Sequence, residues 1–121
     1  MLIIGSGVKD LSFYEKALGA VERRRFTNDD GSIHVMEMEI DGALFHFHEE
    51  KPSGGNVSPE VAGGVTTVIG LFVEDVDTLV ERAVAAGARL LSPPQDYFYG
   101  FRQARIEDSF GHHWEISQVI S

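Results

Sequence analysis

The chain has 121 residues, of which 43% are hydrophobic and 24% charged, a balance typical of one soluble globular domain. Its formal net charge of −9 argues against nucleic acid or an anionic membrane as partners, because both attract clustered lysine and arginine. The absence of cysteine excludes disulfides and thiolate chemistry and fits a cytoplasmic protein. We expect neither a signal peptide nor a membrane helix, since no apolar run approaches about 20 residues.

The first half of the chain predicts one helix among four strands. These elements are expected at 2–4, 10–19 (the helix), 20–27, 33–40 and 43–50. Asp10 can cap the start of the helix and Gly19 can end it in a left-handed conformation. The pair Asp41-Gly42 is typical of a two-residue hairpin, so the last two strands should be antiparallel neighbours.

The second half repeats this order after a segment rich in Pro, Gly and Ser. Its elements are expected at 66–73, 74–87 (the helix), 88–91, 97–108 and 112–120. Asp75 and Gly87 can start and end the helix, while the prolines of 92–96 should break the preceding strand. The sequence therefore predicts one domain, 1–121, in which repeats 1–50 and 65–121 are joined by a linker at 51–64.

Two such repeats predict an α+β fold made of two paired βαβββ modules. Neither repeat, at roughly 60 residues, can bury a good core alone, so the two should share one. Pairing them would give a curved mixed sheet with helices on its convex side. The concave side would then form a cup suited to a small molecule.

Two polar residues occupy equivalent places in the last strands of the two repeats. His46 lies four residues after Gly42, and Glu115 lies four residues after Gly111. Both follow a large apolar residue and precede another, so both should project from the face opposite the core. Either could contact a ligand or act in catalysis, or simply be a solvated side chain of the sheet.

Three segments resemble the vicinal-oxygen-chelate superfamily of glyoxalases, bleomycin-resistance proteins and dioxygenases. They read SFYEKALGA at 12–20, FVEDVDTLVERAVAAGA at 72–88 and GFRQARIEDSFGHHWEI at 100–116. The end motif DSFGHHW is most similar to the branch described as 3-demethylubiquinone methyltransferase-like, with Ser109 where that branch has proline. The resemblance implies paired βαβββ modules, a homodimer and a small-molecule ligand.

The same resemblance implies a divalent metal, such as Zn, Ni, Mn or Fe, in the catalytic members. Carried over by motif, the metal and catalytic positions are His46 and Glu115. The two remaining ligand positions fall on Ile3 and Val68, which have no lone pair to donate. Because catalytic zinc usually has three protein ligands, the chain departs from the metalloenzyme pattern.

Further candidates for ligand contact lie around the expected cup. They are His48, Glu37, Tyr97, Tyr99, Phe101, Arg102 and His113. The aromatics could form a lip over a planar ligand or fill the core, and Arg102 could anchor an anionic group or form a structural ion pair. His48 could equally be a rim histidine.

Two functions follow. One is a metal-dependent lyase, isomerase or dioxygenase, in which a metal at His46 and Glu115 would polarise adjacent substrate oxygens. The other is a metal-free protein that sequesters a planar or anionic small molecule, comparable to an antibiotic, in the cup of a dimer. The apolar residues at two ligand positions favour the second.

Overall fold

The structure is a computed structural model that describes residues 1–120. The first module comprises β1 (Leu2–Ile4), α1 (Ser12–Leu18), β2 (Val21–Thr27), β3 (Ile33–Ile40) and β4 (Ala43–Glu49). The second comprises β5 (Val68–Phe72), α3 (Val76–Ala85), β6 (Arg89–Tyr97), β7 (Phe101–Glu107) and β8 (His113–Val119). The connecting segment holds a 3₁₀ turn (Pro52–Gly54) and the short helix α2 (Pro59–Ala62).

The strands form two four-stranded mixed sheets with the same topology. Their orders are β1-β4-β3-β2 and β5-β8-β7-β6. In each sheet the first and last strands of the module are parallel, and the other neighbours are antiparallel. This confirms the α+β class and the paired βαβββ modules.

The helices begin and end close to the predicted residues. Asp75 caps α3, since its carboxylate accepts the backbone N–H of Thr78 at 3.1 Å. Asp10 precedes α1 and accepts the N–H of Ser12 at 2.7 Å. Gly19 follows α1 with a φ of 71°, the left-handed conformation that glycine adopts most readily.

One core joins the two modules. Both helices and the inner faces of both sheets contribute to a single cluster of buried side chains, with α1 packed against α3. Arg82 of α3 extends this contact, because its guanidinium donates to the last carbonyls of α1, at Glu15 (3.0 Å) and Lys16 (2.5 Å). The carbonyl of Glu15 also accepts the backbone N–H of Gly19 at 3.1 Å. Arg82 therefore adds a second partner there and bonds a further carbonyl of the last turn at Lys16.

The end motif of the second module forms a hydrogen-bond centre under α1. The buried carboxylate of Asp108 accepts from the hydroxyl of Tyr14 (2.5 Å) and the indole of Trp114 (2.9 Å). It also accepts the backbone N–H groups of Phe110 (2.8 Å) and His112 (3.0 Å). Because Tyr14 belongs to the first module, Asp108 fixes one module against the other.

The prediction that residues 92–96 end a strand was wrong. β6 continues from Arg89 to Tyr97 through Pro93 and Pro94. It is the outermost strand of its sheet, and its pairing with β7 shifts register on both sides of Ser92. Proline is tolerated in such a strand because an edge position and a bulge both release backbone N–H groups from the ladder.

Among residues 1–120, no helix is long and apolar enough to cross a membrane.

Candidate functional site

A concavity of about 430 Å³ lies on the outer face of the second sheet, the face turned away from the core. We call it the aromatic concavity. Its lining consists of Leu91, Ser92, Tyr97, Tyr99, Gln103, Ala104, Arg105 and Glu115. Three residues singled out in the sequence, Tyr97, Tyr99 and Glu115, therefore lie together, and β6, β7, β8 and the β6–β7 turn all contribute.

Strand alternation explains how the polar part of this lining is positioned. On β8, Glu115 lies between Trp114 and Ile116, both buried in the core. On β7, Arg105 lies between the buried Ala104 and Ile106, and it pairs directly with Glu115. Because successive strand residues face opposite ways, burying the apolar residues turns the charged ones outward.

A compact hydrogen-bond network surrounds Glu115. One carboxylate oxygen accepts from Arg105 Nη2 at 3.1 Å, and the other accepts from Gln103 Nε2 at 3.2 Å. The same amide nitrogen donates to Ser117 Oγ at 3.0 Å. The carboxylate is therefore oriented and partly neutralised by a guanidinium, with over a third of its side chain still exposed.

Aromatic rings form one wall of the concavity. Tyr97 and Tyr99 stack with ring centroids 5.4 Å apart at 13°. Phe101 meets Tyr99 edge-on at 5.8 Å but does not itself line the concavity. The Tyr99 hydroxyl donates to Gln103 Oε1 at 2.5 Å, which links the wall to the network of Glu115. Partial desolvation, together with Tyr97 and Glu115, raises the pKa of Tyr99 above its ordinary value near 10.

The histidines of the first module lie elsewhere, on the outer face of the first sheet. His46 is exposed and pairs across the strands with Glu37, which lies 4.0 Å from Arg24. His48 donates from Nδ1 to the carbonyl of its neighbour Glu49 at 2.6 Å. None of His46, His48 and Glu37 lines the aromatic concavity.

The core explains why His46 does not line the concavity that contains Glu115. Their neighbours Phe45 and Trp114 meet inside the core, with ring centroids 6.1 Å apart. Because side chains alternate along a strand, His46 and Glu115 lie on the outer faces of two different sheets, away from this contact. Within residues 1–120, no hydrogen bond or ion pair connects them.

Arg102 and His113 have other partners. Arg102 donates to both carboxylate oxygens of Asp77 on α3 (2.7 and 2.9 Å) and to Asp96 on β6 (2.9 Å). This ion pair also lowers the pKa of Asp77. His113 lies 3.9 Å from Glu107, at the opposite end of β8 from the aromatic wall.

The residues that the sequence reasoning missed are Gln103, Arg105 and Ser117. A signal for them exists, because Gln103 and Arg105 alternate with the apolar Ala104 and Ile106. That period of two places both polar side chains on the same face as Glu115 once β7 is known to neighbour β8.

Within the single chain, the donor set around Glu115 does not fit a metal centre. Within residues 1–120, no group of three or more His, Asp or Glu side chains is arranged to hold an ion. The strand residue paired with Glu115 on β5 is Gly70, whereas Ile3 pairs with His48 and Val68 with His113. Glu115 also has Arg105 as its neighbour, and a guanidinium repels a second cation.

Two mixed sheets built from βαβββ modules, with an outward-facing concavity, define a protein of the glyoxalase fold. The model of the Glyoxalase/Bleomycin resistance protein/Dioxygenase superfamily matches residues 2–116. The chain therefore belongs to this superfamily.

The relative and the two solved structures named below each align with 98% of this chain. An uncharacterized protein of Mycobacterium bovis, Mb0911c, is 32% identical over 122 residues, which cover 98% of this chain and 80% of the relative. TioX from Micromonospora sp. ML1 superposes with a TM-score of 0.74 at 22% identity, covering 98% of this chain and 96% of that one. A glyoxalase/bleomycin resistance protein/dioxygenase family enzyme from Burkholderia phytofirmans PsJN gives 0.69 at 20% identity, with 98% and 97% covered. At these identities the two structures show the fold alone.

Proposed function

We propose that this protein binds a small planar molecule in the aromatic concavity without a metal ion and sequesters it. The observation that carries the proposal is the convergence of the Tyr97–Tyr99 stack with the Arg105–Glu115 pair in one pocket. A further proposal is membership of the 3-demethylubiquinone methyltransferase-like branch. It is supported by the end motif around Asp108.

The lining indicates which ligand chemistry would be held. The exposed ring of Tyr99 offers a face on which a planar ring can stack. Gln103 and Arg105 can donate to ligand oxygens, while Glu115 can accept from a ligand N–H or O–H. A flat molecule with both donors and acceptors along one edge therefore fits better than a purely aliphatic one.

We also propose that the protein works as a homodimer, in which the first sheet of one copy covers the concavity of the other. Both outer faces expose large apolar side chains, among them Leu44 (69%) on the first sheet and Phe72 (64%) on the second. Such exposure is typical of surfaces that meet a partner. In this arrangement His46, His48 and Glu37 of the first sheet would complete the site.

The test is a thermal-shift screen of planar aromatic acids, amides and amines, followed by calorimetry of any compound that raises Tm. Tyr99→Ala should weaken binding about tenfold, the equivalent of one lost aromatic contact of about 1.4 kcal/mol. Phe98→Ala is the matched control, because Phe98 is fully exposed and lies outside the lining. Equal affinity in the two variants would contradict the proposal.

The metalloenzyme remains the alternative that superfamily membership favours. Metal content is measured after purification without chelator or affinity tag, and Tm is recorded with Zn²⁺, Ni²⁺, Mn²⁺ and Fe²⁺. The metal-free proposal predicts the same response in wild type and in His46→Ala/Glu115→Ala. If the wild type contained stoichiometric metal and the double variant did not, metal-free sequestration would be wrong and the metalloenzyme would be supported.

A further inference from the structure

A second cavity, of about 550 Å³, lies between the two modules, where the connecting segment covers the ends of β1 and β5. We call it the linker cavity. Its apolar lining includes Leu2 and Ile3 of β1, Ile69 of β5, Phe45 of β4 and Pro59 of α2. Its size lies within the range of small-molecule sites, roughly 300–1,000 Å³. It shares no residue with the aromatic concavity.

The charge of this lining differs from that of the aromatic concavity. It contains no Asp, Glu, Lys or Arg side chain, and its polar side chains are Asn56, Thr66, Thr67 and His112. Met1 also borders the cavity, but it is 62% exposed, so water screens the charge of its amino group. Burying an unpaired charge is costly, so a site of this kind selects against ions. In a chain with a net charge of −9, a pocket of this size without a charged side chain indicates a neutral ligand.

His112 adds a directional requirement. Its Nε2 bonds the carbonyl oxygen of Ile3 at 2.8 Å, and because a carbonyl only accepts, Nε2 is the nitrogen that carries the proton. In the neutral ring Nδ1 is then an acceptor, and it has no hydrogen-bond partner among residues 1–120. A ligand with one O–H or N–H group could donate to this nitrogen.

The cover over the cavity is fixed at one end. The N–H of Ser58 donates to the Glu50 carboxylate at 3.1 Å, and Pro59 packs closely against Gly111. The other end of α2 leads into Gly63 and Gly64, neither of which has an atom within 4 Å of the position a Cβ would take. The cover is thus held at Ser58 and Pro59, and the carbonyl of Pro59 also accepts the backbone N–H groups of Gly63 (2.9 Å) and Gly64 (3.2 Å).

From these observations we propose that the linker cavity is a binding site for an uncharged, mainly apolar small molecule that carries a single hydrogen-bond donor. It is separate from the proposed function and does not depend on it.

The test uses two dyes of nearly the same shape. N-phenyl-1-naphthylamine is neutral with one N–H, and 8-anilino-1-naphthalenesulfonate is its anionic counterpart. Binding is followed by quenching of Trp114, the single tryptophan of the chain, whose ring lies 6.1 Å from that of Phe45 in the cavity wall. The neutral dye should bind at least about tenfold more tightly than the sulfonate.

Ala62→Phe should fill the cavity and reduce the affinity for the neutral dye at least about tenfold. Val61→Phe is the matched control, since Val61 is the preceding residue of α2, is exposed (62%) and lies outside the lining. Circular dichroism and sedimentation check that both variants keep the fold and oligomeric state of the wild type.

Several results would overturn the linker-cavity site. They are no binding of the neutral dye, equal binding of both dyes, and wild-type affinity in Ala62→Phe. Loss of binding in Tyr99→Ala alone would move the dye to the aromatic concavity. A change of oligomeric state in Ala62→Phe but not in Val61→Phe would make this face a contact between copies of the chain.

Discussion

The two modules share their strand order but differ in the loops that join the strands. In the first module, β3 and β4 are joined by the two-residue turn Asp41-Gly42. In the second, β7 and β8 are joined by residues 108–112, which place the Asp108 carboxylate under α1. The turn before β7 adds the second difference, because it contributes Tyr99 to the aromatic wall, whereas the turn before β3 is polar (28–32).

This difference shows where a repeated scaffold acquires its individual chemistry. Equivalent strand positions carry His46 and Glu115, yet only Glu115 lies in a walled concavity with a guanidinium and an amide beside it. The strands supply outward-facing side chains in both modules, and the loops decide which of them become part of a pocket. Substitutions at matched positions of the two modules test this conclusion.

The largest difference is expected between Asp108→Asn and Asp41→Asn. Replacing Asp108 turns an amide N–H₂ toward groups that are themselves donors, in a buried site. Losing one partner of a buried charged network should lower the free energy of unfolding by about 3–5 kcal/mol. Asp41 is exposed, so Asp41→Asn should change the free energy of unfolding by about 0.5 kcal/mol or less. Urea unfolding followed by Trp114 fluorescence measures both, and similar costs would refute the role of Asp108.

A smaller difference is expected between Gly111→Ala and Gly42→Ala. The two glycines have nearly the same backbone conformation, with φ of 91° and 87°. A Cβ on Gly42 meets nothing within 4 Å, so only backbone strain of about 1–2 kcal/mol should appear.

A Cβ on Gly111 would lie 2.8 Å from Pro59 Cβ, which should add a further cost of about 1–3 kcal/mol. Thermal unfolding of the two variants at the same pH makes the comparison. Equal losses would mean that α2 moves away from Gly111 freely, and the packing of the connecting segment would then contribute little to stability.

The third prediction concerns alkaline pH. Burial, followed by the charge and hydrogen bond of Asp108, raises the pKa of Tyr14 above its ordinary value near 10. The folded state therefore holds this proton while the unfolded state releases it. Stability is fully present below pH 10 and falls as pH rises beyond it, by about 1.4 kcal/mol per unit for one proton.

The measurement is the free energy of unfolding between pH 8 and pH 12, at the same urea range throughout. Tyr14→Phe should flatten this dependence while starting from a lower stability, because its hydrogen bond to Asp108 is lost. A slope unchanged in Tyr14→Phe would assign the alkaline loss to other groups.

Much of the architecture could be predicted from local signals. The spacing of apolar residues in α3, the cap at Asp75 and the turn at Asp41-Gly42 are properties of short segments, and each was found where predicted. The strand through Pro93 and Pro94 was missed because local propensity opposes it. Proline is acceptable there because β6 lies at the edge of its sheet. That position depends on the order of the strands, which no short segment encodes.

The candidate site was predictable only in part, for the same reason. Alternation along β8 placed Glu115 on an outer face, and the aromatic segment at 97–101 suggested a wall. The partners of Glu115 come from β7, and the pairing of Arg105 with Glu115 depends on a register that neither strand contains by itself. Arg102 shows the converse. It is close to the site in sequence, but its guanidinium donates to Asp77 of α3, which lies 25 residues earlier in the chain.

The sequence by itself determined the repeated βαβββ order, the apolar faces of the strands and helices, and the absence of donors at Ile3 and Val68. These depend on residue type and on periods of two and 3.6 residues, which the chain carries locally. Only the tertiary structure decided that one core draws Phe45 and Trp114 together and leaves His46 and Glu115 on the outer faces of two different sheets. A side chain's face is set by its own strand, but its neighbours are set by how two sheets pack, and that packing is a property of the whole chain.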